Sequence, residues 1–295
     1  MVHQNNVIVG LNVVLIVEQL ISAIHLFNKE IKKEISMSKK LVNRVLLVND
    51  DGIDAPGIRI LKSIAEKIAN EVWIVAPVVD QSGVSCSVSL KSPFRVQKRN
   101  QTEYAVYGTP ADCSLFAIKS LMAKQLPDLV LSGINNGSNL GFETVLSGTV
   151  GAAMMAMTLG VPAIALSQVS SEDNIPTDWH CSTHLAESVI RQLLSLTTQK
   201  NTCFNINFPN CRAEQIKGIK ITKQGTADVS KFVVAETKDP EGHEYFWFRA
   251  QRNQNVLDDD KELDAANNGY IAITPLHYER TDYDFYQQIK ATFNV

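Results

Sequence analysis

From Arg44 onward, short runs of apolar residues alternate with longer segments in which apolar positions recur every three or four residues. That alternation predicts a parallel sheet with crossover helices. Residues 44–48 read as the first strand. Residues 57–69 read as a helix carrying Ile58, Leu61, Ile64, Ala65 and Ile68 on one face, and 71–76 as a second strand stopped by Pro77. Pieces near 86–90, 93–98 and 103–107 have strand character. Thr109 as N-cap and Pro110 at the first turn open a helix that runs to about Ala123. Further strands fall at 128–132, 162–167 and 203–208. A small-residue helix spans 150–159 and another helix about 182–197. Beyond Pro209, stretches 215–222 and 243–249 look like strands around a charged connection, a projecting hairpin placed at 223–250. A strand at 269–275 and a helix over 281–293 close the chain. The expected fold is α/β, a Rossmann-like three-layer sandwich with a mostly parallel sheet, a projecting C-terminal β-hairpin and a terminal helix.

Composition changes little in this picture. A 295-residue chain with 45% hydrophobic and 20% charged residues holds one large domain plus a small appendage, and excludes global disorder. The net charge of −3 gives no electrostatic basis for nucleic acid or an anionic membrane as partner. Five cysteines without CxxC or zinc-ligand spacing fit reduced thiols of a cytoplasmic protein. The apolar run 7–27 is the anomaly, because Asn12, Glu18, Gln19 and His25 interrupt it and no basic flank or cleavage site frames it. Met37-Ser38-Lys39-Lys40 has the form of an ordinary start seven residues before the first strand. Residues 1–40 are therefore expected to be an extension from an upstream start, with a packed or interfacial helix and a membrane anchor as the other readings. Residues 41–295 form the functional domain, with a core of about 41–210 and a hairpin and oligomerisation region of about 215–295.

The chemistry gathers where strands end. Asn49, Asp50 and Asp51 terminate the first apolar run, and Gly52 allows a sharp turn. Two adjacent carboxylates at the end of a buried strand repel each other unless a cation neutralises them, and hard oxygen ligands suit magnesium or manganese. The alternative reading is a solvated turn in which Asp50 caps the next helix. Ser82 and Ser85 follow the second strand, and Asn135, Asn136 and Asn139 follow the strand 128–132. In open α/β sheets such loops share one edge. Ser147, Gly148 and Thr149 open the small-residue helix, where free amides and the helix dipole favour an anion. The strand-end carboxylates do not form the Asp-x-Asp of haloacid-dehalogenase phosphatases, because the second residue after Asp50 is Gly52 and after Asp51 is Ile53; the loop has no EF-hand spacing, and the sequence lacks a Walker lysine, GxGxxG and GxSxG. His180, His184, His243 and His277 read as surface or boundary residues.

These residues resemble the SurE survival proteins, a family of metal-dependent nucleoside monophosphate phosphatases. The matching stretches are Asn49-Asp-Asp-Gly, Ala76-Pro, Gln81-Ser-Gly, Gly108-Thr-Pro-Ala-Asp-Cys, Ser132-Gly-Ile-Asn-Asn-Gly-Ser-Asn-Leu-Gly, Ser147-Gly-Thr-Val-Gly-Ala-Ala, Asn205-Ile-Asn-Phe-Pro and Gly269-Tyr-Ile-Ala-Ile-Thr-Pro-Leu. They run in the family's order across residues 44 to about 290. The resemblance implies Asp50, Asp51, Ser82 and Asn135 as ligands of one divalent cation (magnesium or manganese), with Asp50 and Asp51 catalytic. It implies Asn139, Ser147, Gly148 and Thr149 as phosphate ligands. It further implies hydrolysis of nucleoside 5′- and 3′-monophosphates, and a homodimer or homotetramer that exchanges a C-terminal hairpin. A catalytically weakened nucleotide-binding protein of the same fold is the alternative. Gln81, Asn136 and Val145-Leu146 depart from common family residues, which points to altered substrate preference and an intact metal site.

Overall fold

The computed structural model describes residues 39–170, 176–196, 203–225, 231–251 and 260–293. The expectation for the N-terminal extension falls outside the described residues. From Val42 the chain forms one compact unit.

The apolar run after Asn43 becomes β1 (Val42–Val48). Its side chains alternate between two cores: Val45 and Leu47 enter one, Leu46 and Val48 the other, and all four are fully buried. A strand apolar on both faces has helices on both sides. The amphipathic α1 (Pro56–Ile68) covers one face with Ile58, Leu61, Ile64 and Ile68. Then come β2 (Ala69–Pro77), β3 (Val96–Lys98), β4 (Glu103–Val106) and α2 (Pro110–Phe116). Thr109 caps α2 as its sequence predicts, in a reciprocal box with Asp112. The helical path continues to Leu121 as a wider π turn. Next are β5 (Leu129–Asn136), the single turn α3 (Glu143–Leu146), α4 (Gly148–Thr158), β6 (Ala163–Gln168), α5 (His180–Leu196) and β7 (Cys203–Phe208). The chain ends with β8 (Gly218–Ile221), β9 (Lys231–Lys238), β10 (Glu244–Gln251), α6 (Glu262–Asn267), β11 (Tyr270–Leu276) and α7 (Tyr283–Thr292).

The main sheet has the order β3-β4-β2-β1-β5-β6-β7-β11-β8. Pairing is parallel except for β3 with β4 and β11 with β7. The order reverses direction between β1 and β5, and the crevice outside their carboxyl ends is where such sheets bind ligands. Gly57 lets α1 cross directly over that edge, since a Cβ there would lie 1.9 Å from the Ile134 carbonyl oxygen.

Three sequence expectations change. Residues 86–90 form no strand, because Ser89 gives its amide and hydroxyl to the Asp112 carboxylate instead of to a ladder. Residues 218–221 do not belong to the hairpin but form the sheet edge, parallel to β11. The hairpin is β9 with β10, an antiparallel pair in its own sheet. α6 has no counterpart in the sequence reading. It is too short, at six residues, to show helical periodicity.

Candidate active site at the carboxyl edge of the sheet

β1 delivers Asn49, Asp50 and Asp51 to the crevice, and a hydrogen-bonded turn fixes them there. Asn49 is fully buried and donates its Nδ2 to the Gly52 carbonyl. The Gln81 amide donates to the Asp50 carbonyl at 2.8 Å, which ties the loop after β2 to the turn after β1. In that second loop, Asp80 accepts hydrogen bonds from the amide and the hydroxyl of Ser82, at 2.9 and 3.2 Å.

β5 brings Asn135 and Asn136. The Asn136 amide donates to Asp51 Oδ2 at 3.1 Å. Asn135 Nδ2 donates to the Gly137 carbonyl, so its amide oxygen is the end free to face a cation. Beyond Gly137, Asn139 is held from beneath. Its backbone amide donates to Asn207 Oδ1, its carbonyl accepts from Asn205 and Asn207 Nδ2, and its own Nδ2 donates to Ser167 Oγ.

α4 completes the site. Ser147 caps it by accepting from the Val150 amide. The Thr149 hydroxyl donates to Asp50 Oδ1, joining α4 to β1. Gly148 is required by contact: a Cβ there would sit 2.8 Å from Asp50 Cβ and 3.0 Å from Asp50 Oδ2. An open cleft of about 190 Å³ is lined by Asp50, Ser82, Asn135, Asn139 and Ser147 among others. Five of the eight residues singled out in the sequence therefore line this cleft, and Gly148 leaves no room for a Cβ beside the Asp50 side chain. Thr149 and Asp51 join the cluster through the hydrogen bonds to Asp50 and from Asn136.

Electrostatics makes the pair unusual. Burial pushes the Asp50 carboxyl up, opposed by hydrogen bonds from Thr149. Asp51 is pushed up to about 7 by burial and then by the charge of Asp50, with Asp80 adding to both. No cationic side chain is among the causes acting on either residue. Among the described residues no group of three or more His, Cys, Asp or Glu could hold a metal. A cation here would therefore rest on two carboxylates plus hydroxyl and carboxamide oxygens, a hard-oxygen shell that fits magnesium or manganese and leaves room for water. Asn49 Oδ1, in the residue before the pair, is buried without a hydrogen-bond partner. The donor set fits a divalent cation.

Sequence reasoning missed two supports of the site. Asn205 and Asn207 sit in the buried strand β7 and pin Asn139; paired asparagines in an otherwise apolar strand were a readable sign. Glu262 accepts from the Gly141 amide, and no local pattern marks it. Among the described residues no histidine lines the cleft, and His180 Nδ1 instead accepts from the Ala213 amide while its ring stacks on His184.

Comparison with known proteins places the sequence and the fold in one family. The family described as SurE, survival protein SurE, matches residues 45–231. The chain is 48% identical over 244 residues to 5′-nucleotidase SurE 1 of Burkholderia lata, covering 83% of this chain and 94% of that protein. It is 41% identical to 5′-nucleotidase SurE of Paramagnetospirillum magneticum, covering 85% and 95%. The crystal structure of the SurE protein from Aquifex aeolicus superposes with a TM-score of 0.72 at 36% identity, covering 84% of this chain and 99% of that one. Fold and sequence coincide, and the chain belongs to the SurE family of survival proteins.

Proposed function

We propose that this protein is a 5′-nucleotidase, a hydrolase that cleaves nucleoside 5′-monophosphates, and also 3′-monophosphates, to nucleoside and phosphate. The carrying observation is the juxtaposition of buried Asp50 and half-buried Asp51 with the N-terminus of α4, through the Thr149–Asp50 hydrogen bond. The names of relatives alike over more than four-fifths of the chain support the same activity.

Asp50, Asp51, Ser82 and Asn135 would hold one magnesium or manganese ion. When bound, that cation supplies Lewis acidity toward the phosphoryl oxygen and makes water more acidic. The protein's own part is positioning and charge. Thr149 fixes the Asp50 carboxylate, and the Asn136 amide fixes that of Asp51. One of the two carboxylates takes the proton of the water that attacks phosphorus. Asn139, Ser147, Gly148 and Thr149 hold the phosphate, with the positive end of the α4 dipole behind it.

The reaction in this reading belongs to residues 41–295, with 1–40 outside the catalytic domain. The working form is a cytoplasmic homodimer or homotetramer. Exposed Phe246, Trp247 and Phe248 on β10 and Phe285, Ile289 and Phe293 at the C-terminus support self-association. Among the described residues no helix is long and apolar enough to cross a membrane.

The test is phosphate release from AMP in the presence of manganese, with and without EDTA. Turnover that EDTA abolishes is expected, and Asp50→Asn should lower it by orders of magnitude while the protein stays folded. Binding of AMP without phosphate release would overturn the hydrolase reading in favour of a nucleotide-binding protein.

A further inference from the structure

Glu262 is fully buried, yet it lies far in sequence from every residue of the cleft. Its carboxylate bridges two segments. Oε1 accepts from the Gly141 amide at 2.6 Å, and Oε2 accepts from the Gly225 amide at 2.7 Å. Gly225 ends the described segment that leads toward β9. Its neighbour Gln224 reaches back to the same turn, where Nε2 donates to the Gly141 carbonyl at 3.0 Å and to Thr144 Oγ1 at 2.7 Å. Both backbone groups of Gly141 are thus held by residues more than eighty positions away. Asn139, two residues earlier, is pinned to β7 from below through its amide and carbonyl.

Resting on the nucleotidase reading, we propose that Glu262, assisted by Gln224, is a positioning residue for the phosphate loop: it locks residues 139–144 in the conformation that lines the cleft and ties them to Gln224 and Gly225. The chemistry is specific to a carboxylate. Two N–H donors converge on two acceptor oxygens, and charge-assisted hydrogen bonds of this kind are short and strong. An isosteric amide keeps the volume but turns an –NH2 toward one of those donors, so one backbone amide is left buried without an acceptor. The turn then relaxes at Gly141, the point where it joins α3 and, through it, Ser147 at the head of α4.

The test compares the full-length wild type with Glu262→Gln and Gln224→Ala in two ways. Hydrogen exchange of the segment 137–146 is followed by mass spectrometry, and AMP turnover is measured together with its inhibition by inorganic phosphate. The expectation for folded E262Q is faster exchange confined to 137–146, a fall in kcat/KM of about tenfold or more, and phosphate inhibition weakened by a similar factor. A smaller change of the same kind is expected for Q224A. A purely structural role would lower Tm and leave phosphate inhibition unmoved, and that result overturns the proposal, as does unchanged exchange in folded E262Q. Should E262Q not fold, Q224A decides: faster exchange in 137–146 with weaker phosphate inhibition supports the clamp, and wild-type behaviour overturns it. Absence of turnover in the wild type would fail the nucleotidase reading alone, because local exchange and phosphate affinity, read by protection against exchange, still judge the clamp.

Discussion

Gly148→Ala adds one methyl group against the central carboxylate. The new Cβ would lie 2.8 Å from Asp50 Cβ, 3.0 Å from Asp50 Oδ2 and 3.0 Å from Pro110 Cγ. Carbon atoms in contact sit at roughly 3.5–4.0 Å, so the approach to Asp50 Cβ is short by about 0.7–1.2 Å. Asp50 cannot retreat freely, because it is 4% exposed and the Thr149 hydroxyl holds it from the next residue of the same helix. Overpacking of this kind costs about 1–3 kcal/mol, offset by up to about 1 kcal/mol from alanine's better helix propensity. The net loss is about 0–3 kcal/mol, which lowers Tm by at most about 12 °C in a domain of this size. Activity should suffer far more. A displacement of about 1 Å in a group that positions the reacting atoms costs roughly a hundredfold in rate. The assay is kcat/KM for AMP beside a thermal melt of the same preparation. A folded variant within about threefold of the wild type would refute the claim that Gly148 is dictated by contact with Asp50.

Two further outcomes follow from the same geometry. Thr149→Val removes the hydroxyl but keeps the shape, so Asp50 loses a buried charge-assisted hydrogen bond of about 1.5–3 kcal/mol. Manganese affinity measured by calorimetry and kcat/KM should both fall by about tenfold or more, and Thr149→Ser should recover most of the loss. Asp51→Asn should behave oppositely for stability in metal-stripped protein. The carboxyl of Asp51 is raised in the folded state from 3.8 to about 7, so the folded chain binds more protons than the unfolded one across that window. Stability contributed by this group is present below about pH 4 and is lost as pH rises toward 7. Metal-stripped D51N should therefore melt above the wild type at pH 8, with the gap closing near pH 4. Equal pH dependence in the two proteins would contradict the burial and the repulsion from Asp50 assigned to Asp51.

Local sequence determined much of this protein. The two-sided apolar run of β1 requires helices on both faces of the sheet, and the period of α1 states which of its faces is buried. The Thr109–Pro110 start of α2 satisfies its own amides with neighbouring side chains. Asp50, Asp51, Ser82 and Asn135 were legible because strand ends followed by oxygen-rich turns fall on one edge in any parallel sheet, and Ser147 because it opens a helix of small residues. What remained was decided by contacts that close over long distances in the chain. Residues 218–221 and 243–249 carry similar strand patterns, yet one pairs with β11 and the other with β9. Hydrogen-bonding groups of a backbone are identical everywhere, so pattern cannot name the partner. By sequence the Thr149 hydroxyl has no assigned partner, and the approach of α4 to β1 gives it to Asp50, so that the part proposed for Thr149 in holding phosphate falls to its backbone at the helix start. Glu262 looks like any acidic residue in a first helical turn. Only the fold, by placing two amide donors from separate segments at its two oxygens, makes its charge a structural requirement.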